Sequence, residues 1–392
     1  MIASLFSRRK ALATLAAMAG ALALAACEPL PGGGAGGPDL TSGAPVRVAL
    51  LVPAGSGASS DELIAAHLEN AARLAVADID GAQIDLAVYA TAGDPARAAQ
   101  VAAQAVSDGA AIILGPLYAE EANAAGVAVA ASGINVLAFS NNPTIAGGNV
   151  FVLGQTFRNT ADRLVRYGMR HGITSYLVAH GADLQGQIGR DAITAAVRDN
   201  GATLAGVESY ALSQAAVQAA APRIAATARA SGAGAIFTTA GVNAELPILA
   251  TALPEAGLNA ASTRFIGLTR WNATPQALSL PGLQGGLFAL PDQQMTALFE
   301  SRYAAAYGTP PHPLASLAYD GIAAVGALVA RGGERPLGRA ALTQAQGFRG
   351  TSGIFRFLAD GTNERGLAVA EVRSGQVTVV DAAPRAFGGA GF

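Results

Sequence analysis

Few side chains in this chain could carry covalent chemistry. Cys27 is its only cysteine, Lys10 its only lysine, and the histidines His67, His171, His180 and His312 are scattered. A serine nucleophile needs a base held against it. Ser56, in Ala54-Gly55-Ser56-Gly57-Ala58, lacks the outer glycines of a Gly-x-Ser-x-Gly elbow, and the sequence places no His–acid pair beside it. The histidine spacings do not suit metal ligation along a helix, so surface or capping roles are expected for His67, His171 and His312. Glu120-Glu121 falls at the start of a predicted helix, where acids are favoured by the helix dipole. Gly55-x-Gly57-x-x-Ser60 could be mistaken for a dinucleotide loop. Such a loop needs an acid at the end of the next strand, and that strand ends Val88-Tyr89-Ala90. These residues amount to no catalytic constellation, no metal site and no cofactor site. The Gly-rich turn is left as a strand-to-helix loop whose amides face a cleft, and the chain reads as a non-enzyme.

Composition narrows the partners. With 392 residues, 51% hydrophobic, 13% charged and a net charge of −2, the chain has too little charge for disorder and too little positive charge for nucleic acid. One run is long and apolar, Ala11 to Ala26, after Arg8, Arg9 and Lys10. A basic start, an apolar stretch and small residues make a signal peptide over 1–26; a short buried helix is the alternative. Leu24-Ala25-Ala26-Cys27 resembles a bacterial lipobox, which implies cleavage before Cys27 and diacylglyceryl attachment to its sulfur. The exported chain then holds no lysine and no free thiol, and 22 basic against 27 acidic residues give it a charge of −5. Glu28 to Pro45 contains six Gly and four Pro without periodicity, a tether over 27–45 with a span of roughly 23 Å. Glu28 after the cysteine implies sorting to the periplasmic face of the outer membrane rather than the inner one, with Cys27 as the contact to the bilayer.

From Val46 onward the elements repeat. Val46–Val52 reads as a strand, Ser59-x-x-Glu62 as a capping box, and Leu63–Ile79 as a helix. Ile84–Tyr89 is a strand, Asp94-Pro95 starts a helix that stops at Asp108-Gly109, and strands follow at Ala111–Leu114, Ile134–Phe139 and Val150–Leu153. A second round runs from Asn159–Arg170 through the strands Tyr176–Ala179, Leu204–Tyr210, Ala235–Thr238 and Phe265–Leu268. Gly285–Leu290 adds a strand, and Met295–Tyr307 and Leu314–Ala330 add helices. Strands alternating with helices make parallel crossovers, so the fold class is α/β, two doubly wound parallel-sheet lobes. The end changes character: Gly353–Phe357, Leu367–Arg373 and Val377–Val380 read as one antiparallel meander.

Val48-Ala49-Leu50-Leu51-Val52-Pro53, Ile113-Leu114-Gly115-Pro116-Leu117, Val136-Leu137-Ala138-Phe139-Ser140 and Phe348-Arg349-Gly350 … Gly353-Ile354-Phe355-Arg356-Phe357 … Asp360-Gly361, in that order, resemble type I periplasmic binding proteins of the leucine/isoleucine/valine-binding kind. The resemblance implies two lobes joined by three crossovers, near Val152–Thr156, Leu268–Leu290 and Arg331–Arg339. Lobe 1 is then 46–155 plus 269–335, and lobe 2 is 156–268 plus 336–385, with a small molecule held between them. The positions that map to the cleft are Gly55, Ser56, Tyr118, Ser140, Asn141, Asn142 and Gln185. Ala119 stands where a ligand-gripping hydroxyl is expected. With the lipid anchor, that departure makes the chain resemble the penicillin-binding protein activator group, whose partner is a peptidoglycan synthase. The alternative is the substrate-binding lipoprotein of an ABC transporter for branched-chain amino acids or related solutes, whose partner is a permease.

Overall fold

The computed structural model describes Leu40 and residues 43–388. The signal segment, Cys27 and most of the tether lie outside these residues. None of the described helices is long and apolar enough to cross a membrane.

An unbroken apolar run reads as a strand covered on both faces. β1 (Val46–Val52) is one, with every residue but Arg47 buried. It is followed by α1 (Ser59–Ala77), β2 (Ile84–Ala90), α2 (Pro95–Ser107), β3 (Ile112–Leu114), α3 (Ala119–Val129), β4 (Val136–Ala138) and β5 (Val150–Val152). The five strands are parallel in the order β2-β1-β3-β4-β5. The order reverses between β1 and β3, and a crevice opens at such a switch point beyond the strands' carboxyl ends. Asp94 caps α2 as its sequence predicts, accepting from the Arg97 amide at 2.7 Å. The Ser59–Glu62 capping box does not form. α1 begins at Ser59 itself, behind Ala58, and the Glu62 carboxylate accepts from the Gly55 amide at 2.7 Å instead.

The second round comprises α4 (Phe157–Arg170), β6 (Ser175–Gly181), α5 (Leu184–Asp199), β7 (Thr203–Tyr210), α6 (Gln214–Ser231), β8 (Ala235–Thr238), α7 (Glu245–Glu255), β9 (Arg264–Gly267) and β10 (Leu287–Leu290). Then come α8 (Gln293–Tyr307), α9 (Ala315–Arg331), a short α10 (Arg339–Leu342), β11 (Phe348–Gly350), β12 (Gly353–Phe357), β13 (Asn363–Arg365), β14 (Ala368–Arg373) and β15 (Gln376–Asp381). A seven-stranded sheet runs β15-β14-β10-β9-β8-β6-β7, with its switch point between β6 and β8. The two main sheets have separate cores. One gathers Leu50, Leu68, Ile322 and Phe355, the other Leu177, Ile224, Trp271 and Phe288.

The long-range partition differs from expectation in three ways. Segment 269–290 belongs with the second sheet, because β10 pairs with β9 and β14 and Trp271 and Leu283 fill the second core. Segment 336–365 belongs with the first, where Leu337, Phe348, Phe355 and Phe357 pack. A C-terminal antiparallel meander is present, but it is built from partly different strands than the sequence suggests. β11, β12 and β13 make their own antiparallel sheet, whereas β14 and β15 extend the second sheet. The crossovers between the lobes therefore lie at 154–156, 291–292 and 366–367; Arg331–Arg339 stays within the first lobe. An apolar run states that a segment is buried, not which sheet buries it. The histidines are also less scattered than their spacing suggests: His67 Nδ1 accepts from the His312 amide at 3.1 Å and lies 2.9 Å from the Tyr303 hydroxyl.

Candidate functional site

The first crevice is built by the loops after β1 and β3. Gly55 takes φ +85°, a conformation that favours glycine, and this turn presents its amide to Glu62. Ser56 Oγ accepts from the Ala58 amide at 3.1 Å. The Tyr118 hydroxyl donates to Asp61 Oδ1 at 2.6 Å. That bond, followed by burial, pushes the phenol's pKa up to about 12. A Cβ placed on Gly93 would stand 3.7 Å from Ser56 Cβ, 3.7 Å from Asp61 Oδ2 and 3.9 Å from Tyr118 Cε2, so these side chains gather around one backbone point. Beneath them Glu121 is fully buried; Oε2 accepts from the Tyr118 amide at 3.4 Å and Oε1 has no hydrogen-bond partner. Burial raises its carboxyl pKa.

The second crevice lies where β6 and β8 diverge. It is a pocket of about 240 Å³ lined by Phe157, Asp183, Gln185, Tyr210, Thr239 and Glu245 among others, and no basic side chain lines it. Asp183 caps α5, accepting from the Gly186 amide at 3.1 Å, and Glu245 Oε2 accepts from the Gly241 amide at 2.8 Å. Each carboxylate keeps further lone pairs for a ligand. The Tyr210 hydroxyl is buried and meets no partner at ordinary geometry. Burial raises its pKa to about 12, partly offset by the neighbouring Thr238 and Thr239 hydroxyls.

Between the lobes runs a larger groove of about 790 Å³. Asn141, Asn142 and Thr144 and the 358–364 segment form one side, and α4 and α5 the other. At its floor the crossovers are tied by polar side chains. Asn363 Nδ2 donates to the Val152 and Gly154 carbonyls at 2.7 and 2.8 Å, and Asn159 Nδ2 donates to the Asn363 carbonyl at 2.8 Å. Arg163, 4% exposed, donates to the Leu367 carbonyl and pairs with Asp381 at 3.0 Å.

The cleft residues read from the sequence thus fall into separate places. Gly55, Ser56 and Tyr118 meet at the first crevice. Asn141, Asn142 and Gln185 line the outer groove, and Gln185 also lines the inner pocket. Ser140 lines neither; it is 6% exposed and accepts from the Asn142 amide at 3.1 Å, holding the turn. Cys27 lies outside the described residues. Tyr210, Thr239 and Glu245 escaped the sequence reading, although Tyr210 ends β7 and Thr239 and Glu245 follow the carboxyl end of β8, the edge on which such folds bind ligands.

Two parallel-sheet lobes with a crevice at each switch point and a groove between them, joined by three crossovers, define the type I periplasmic binding protein fold. The periplasmic binding protein family model matches residues 45–376, and the chain belongs to that family. Membership implies a periplasmic location. A structure from Rhodospirillum rubrum assigned to a branched-chain amino acid ABC transporter is 19% identical, with a TM-score of 0.71 over 86% of this chain and 100% of that one. A branched-chain amino acid ABC transporter periplasmic ligand-binding protein from Burkholderia xenovorans is 17% identical, with a TM-score of 0.64 over 88% and 97%. An ABC transporter substrate-binding protein from Desulfitobacterium hafniense, in complex with Leu, is 18% identical, with a TM-score of 0.60 over 86% and 100%. No curated protein sequence matches the chain.

Proposed function

We propose that the chain is the non-catalytic solute-binding component of an ABC transporter for branched-chain amino acids or related small solutes, delivering its ligand to a permease. The observation that carries this reading is the inner pocket. Asp183 and Glu245 line a volume of about 240 Å³ without a basic side chain, a setting that suits a ligand ammonium group. The transporter proteins that share the fold support the same class. Calorimetry of the chain from Cys27 onward tests it. Micromolar binding of leucine, isoleucine or valine, weakened at least tenfold by Asp183→Asn or Glu245→Gln, is expected; no binding at millimolar ligand overturns it.

A penicillin-binding protein activator, anchored through Cys27 on the periplasmic face of the outer membrane, is the second reading. It draws on Ala119, which supplies no hydroxyl, and on Tyr118, whose hydroxyl is engaged by Asp61; none of the structural relatives described above supports it. Affinity capture from membranes separates the two, since one predicts recovery of a permease and the other of a peptidoglycan synthase. Loss of membrane partitioning in Cys27→Ala tests the anchor.

A further inference from the structure

We propose that the outer groove is a second subsite, and that the ligand spanning both is a short peptide with a free amino end and apolar side chains. The proposal rests on the solute-binding reading and names a larger substrate for the same cleft. At about 790 Å³ the groove exceeds the inner pocket's 240 Å³ several-fold, more room than one amino acid fills. Phe157 and Gln185 line both spaces, so a ligand reaching from one to the other passes them.

The lining chemistry selects the occupant. Leu184, Ile188, Ala192 and Ala195 recur every three or four residues along α5, an apolar stripe left outside the core. Leu184 is 69% exposed, the kind of surface that marks a binding face when it lines a groove. Facing the stripe are Asn141, Asn142 and Thr144; Asn142 Oδ1 already accepts from the Thr144 amide and hydroxyl at 3.0 and 2.9 Å, which leaves the Asn141 side-chain amide and the Asn142 Nδ2 to meet the C=O and N–H of a peptide backbone. An anionic ligand is disfavoured, because the groove's arginines are already engaged: Arg158 with Asp162 and Asp199, Arg163 with Asp381, Arg166 with Glu364, and Arg365 with Asp320. The amino end belongs in the inner pocket. There Asp183 and Glu245 supply negative charge, and Tyr210, 4% exposed, has a hydroxyl without a partner at ordinary geometry.

Calorimetry of the exported chain with leucine, Leu-Leu, Leu-Ala-Leu and N-acetyl-Leu-Ala-Leu tests the proposal, the acetylated and free tripeptides being compared as their C-terminal amides so that neither carries a net negative charge. Leu-Ala-Leu is expected to bind at least tenfold more tightly than leucine, and the acetylated peptide at least tenfold more weakly than Leu-Ala-Leu. Ile188→Asp should lower affinity for Leu-Ala-Leu by at least tenfold more than it lowers affinity for leucine. Leucine binding as tightly as the peptides, or Ile188→Asp weakening both equally, overturns the peptide subsite and leaves the solute-binding reading standing. Peptides that bind irrespective of acetylation overturn the placement of the amino end. Binding of neither leucine nor any peptide overturns both readings.

Discussion

Arg365 and Asp320 form an ion pair at 3.6 Å, with side chains 6% and 1% exposed, so the crossover from β13 to β14 is anchored in α9. The Arg365 guanidinium also donates to the Leu153 carbonyl, and Asp320 Oδ1 accepts from the Thr351 amide at 2.6 Å. One pair therefore fastens two crossovers to the first lobe. Removing one partner of a buried pair leaves the other charged and desolvated. Arg365→Met is expected to cost about 3–5 kcal/mol in urea unfolding. Asp320→Leu added to it should recover much of that loss, since an apolar replacement leaves no stranded charge. A double variant no more stable than the single one would show that the pair is not what Arg365 contributes.

Gly154 sets how closely the first crossover passes the turn carrying Asn141 and Asn142. A Cβ there would stand 2.5 Å from the Ser140 carbonyl oxygen and 2.8 Å from that of Phe139. Both contacts are backbone atoms and cannot swing aside, so Gly154→Ala is expected to cost about 1–3 kcal/mol. It should also weaken ligand binding by displacing the Ser140–Thr144 turn. Thermal unfolding and calorimetry on the same variant measure both; unchanged values in each would contradict the close approach.

Local structure was legible where one residue type decides it. Asp94-Pro95 announced the start of α2, and the run Val46–Val52 announced β1 residue for residue. What could not be read was the partner of each buried run. Leu287–Leu290 and Gly353–Phe357 are both largely buried strands, yet one pairs with β9 in the second sheet and the other sends Phe355 and Phe357 into the first core. The site shows the same division. Ser56 and Tyr118 could be placed at a candidate crevice because their loops follow Gly-rich or Gly-Pro turns. Tyr210 and Glu245 were not, because nothing local distinguishes a tyrosine at the end of an exposed strand from one that closes a pocket 35 residues before its carboxylate neighbour.

The Tyr118–Asp61 bond is open to titration. A phenol donating to a carboxylate is held protonated, and Tyr118 stands at about 12 with that bond as the leading cause. Its ordinary value is about 10. The interaction is thus fully present below pH 10 and lost as pH rises through the folded value. In Asp61→Asn the neighbouring negative charge is gone, so the Tyr118 phenolate should form at lower pH. Tyrosine ring-carbon NMR, with the Tyr118→Phe spectrum as assignment, follows the change. An unshifted titration in Asp61→Asn would assign the rise to burial instead.

Glu121 gives the opposite pH signature from a salt-bridged carboxylate. Its side chain is fully buried, Oε1 has no partner, and burial lifts its pKa, while contacts from the Thr91 hydroxyl and the Tyr118 amide pull the other way. With the folded pKa above the unfolded one, the native state binds more protons in the interval between them. Glu121 therefore contributes stability at low pH that is lost as pH rises through its folded pKa. Glu121→Gln keeps an acceptor for the Tyr118 amide and removes the buried charge. It is expected to raise stability where the wild-type carboxylate is ionised, with the gain shrinking as pH falls towards the ordinary carboxylate range. Urea unfolding of both proteins from pH 4 to 8 measures the difference. A gain that stays constant across that range would mean that the benefit comes from packing rather than from the lost charge.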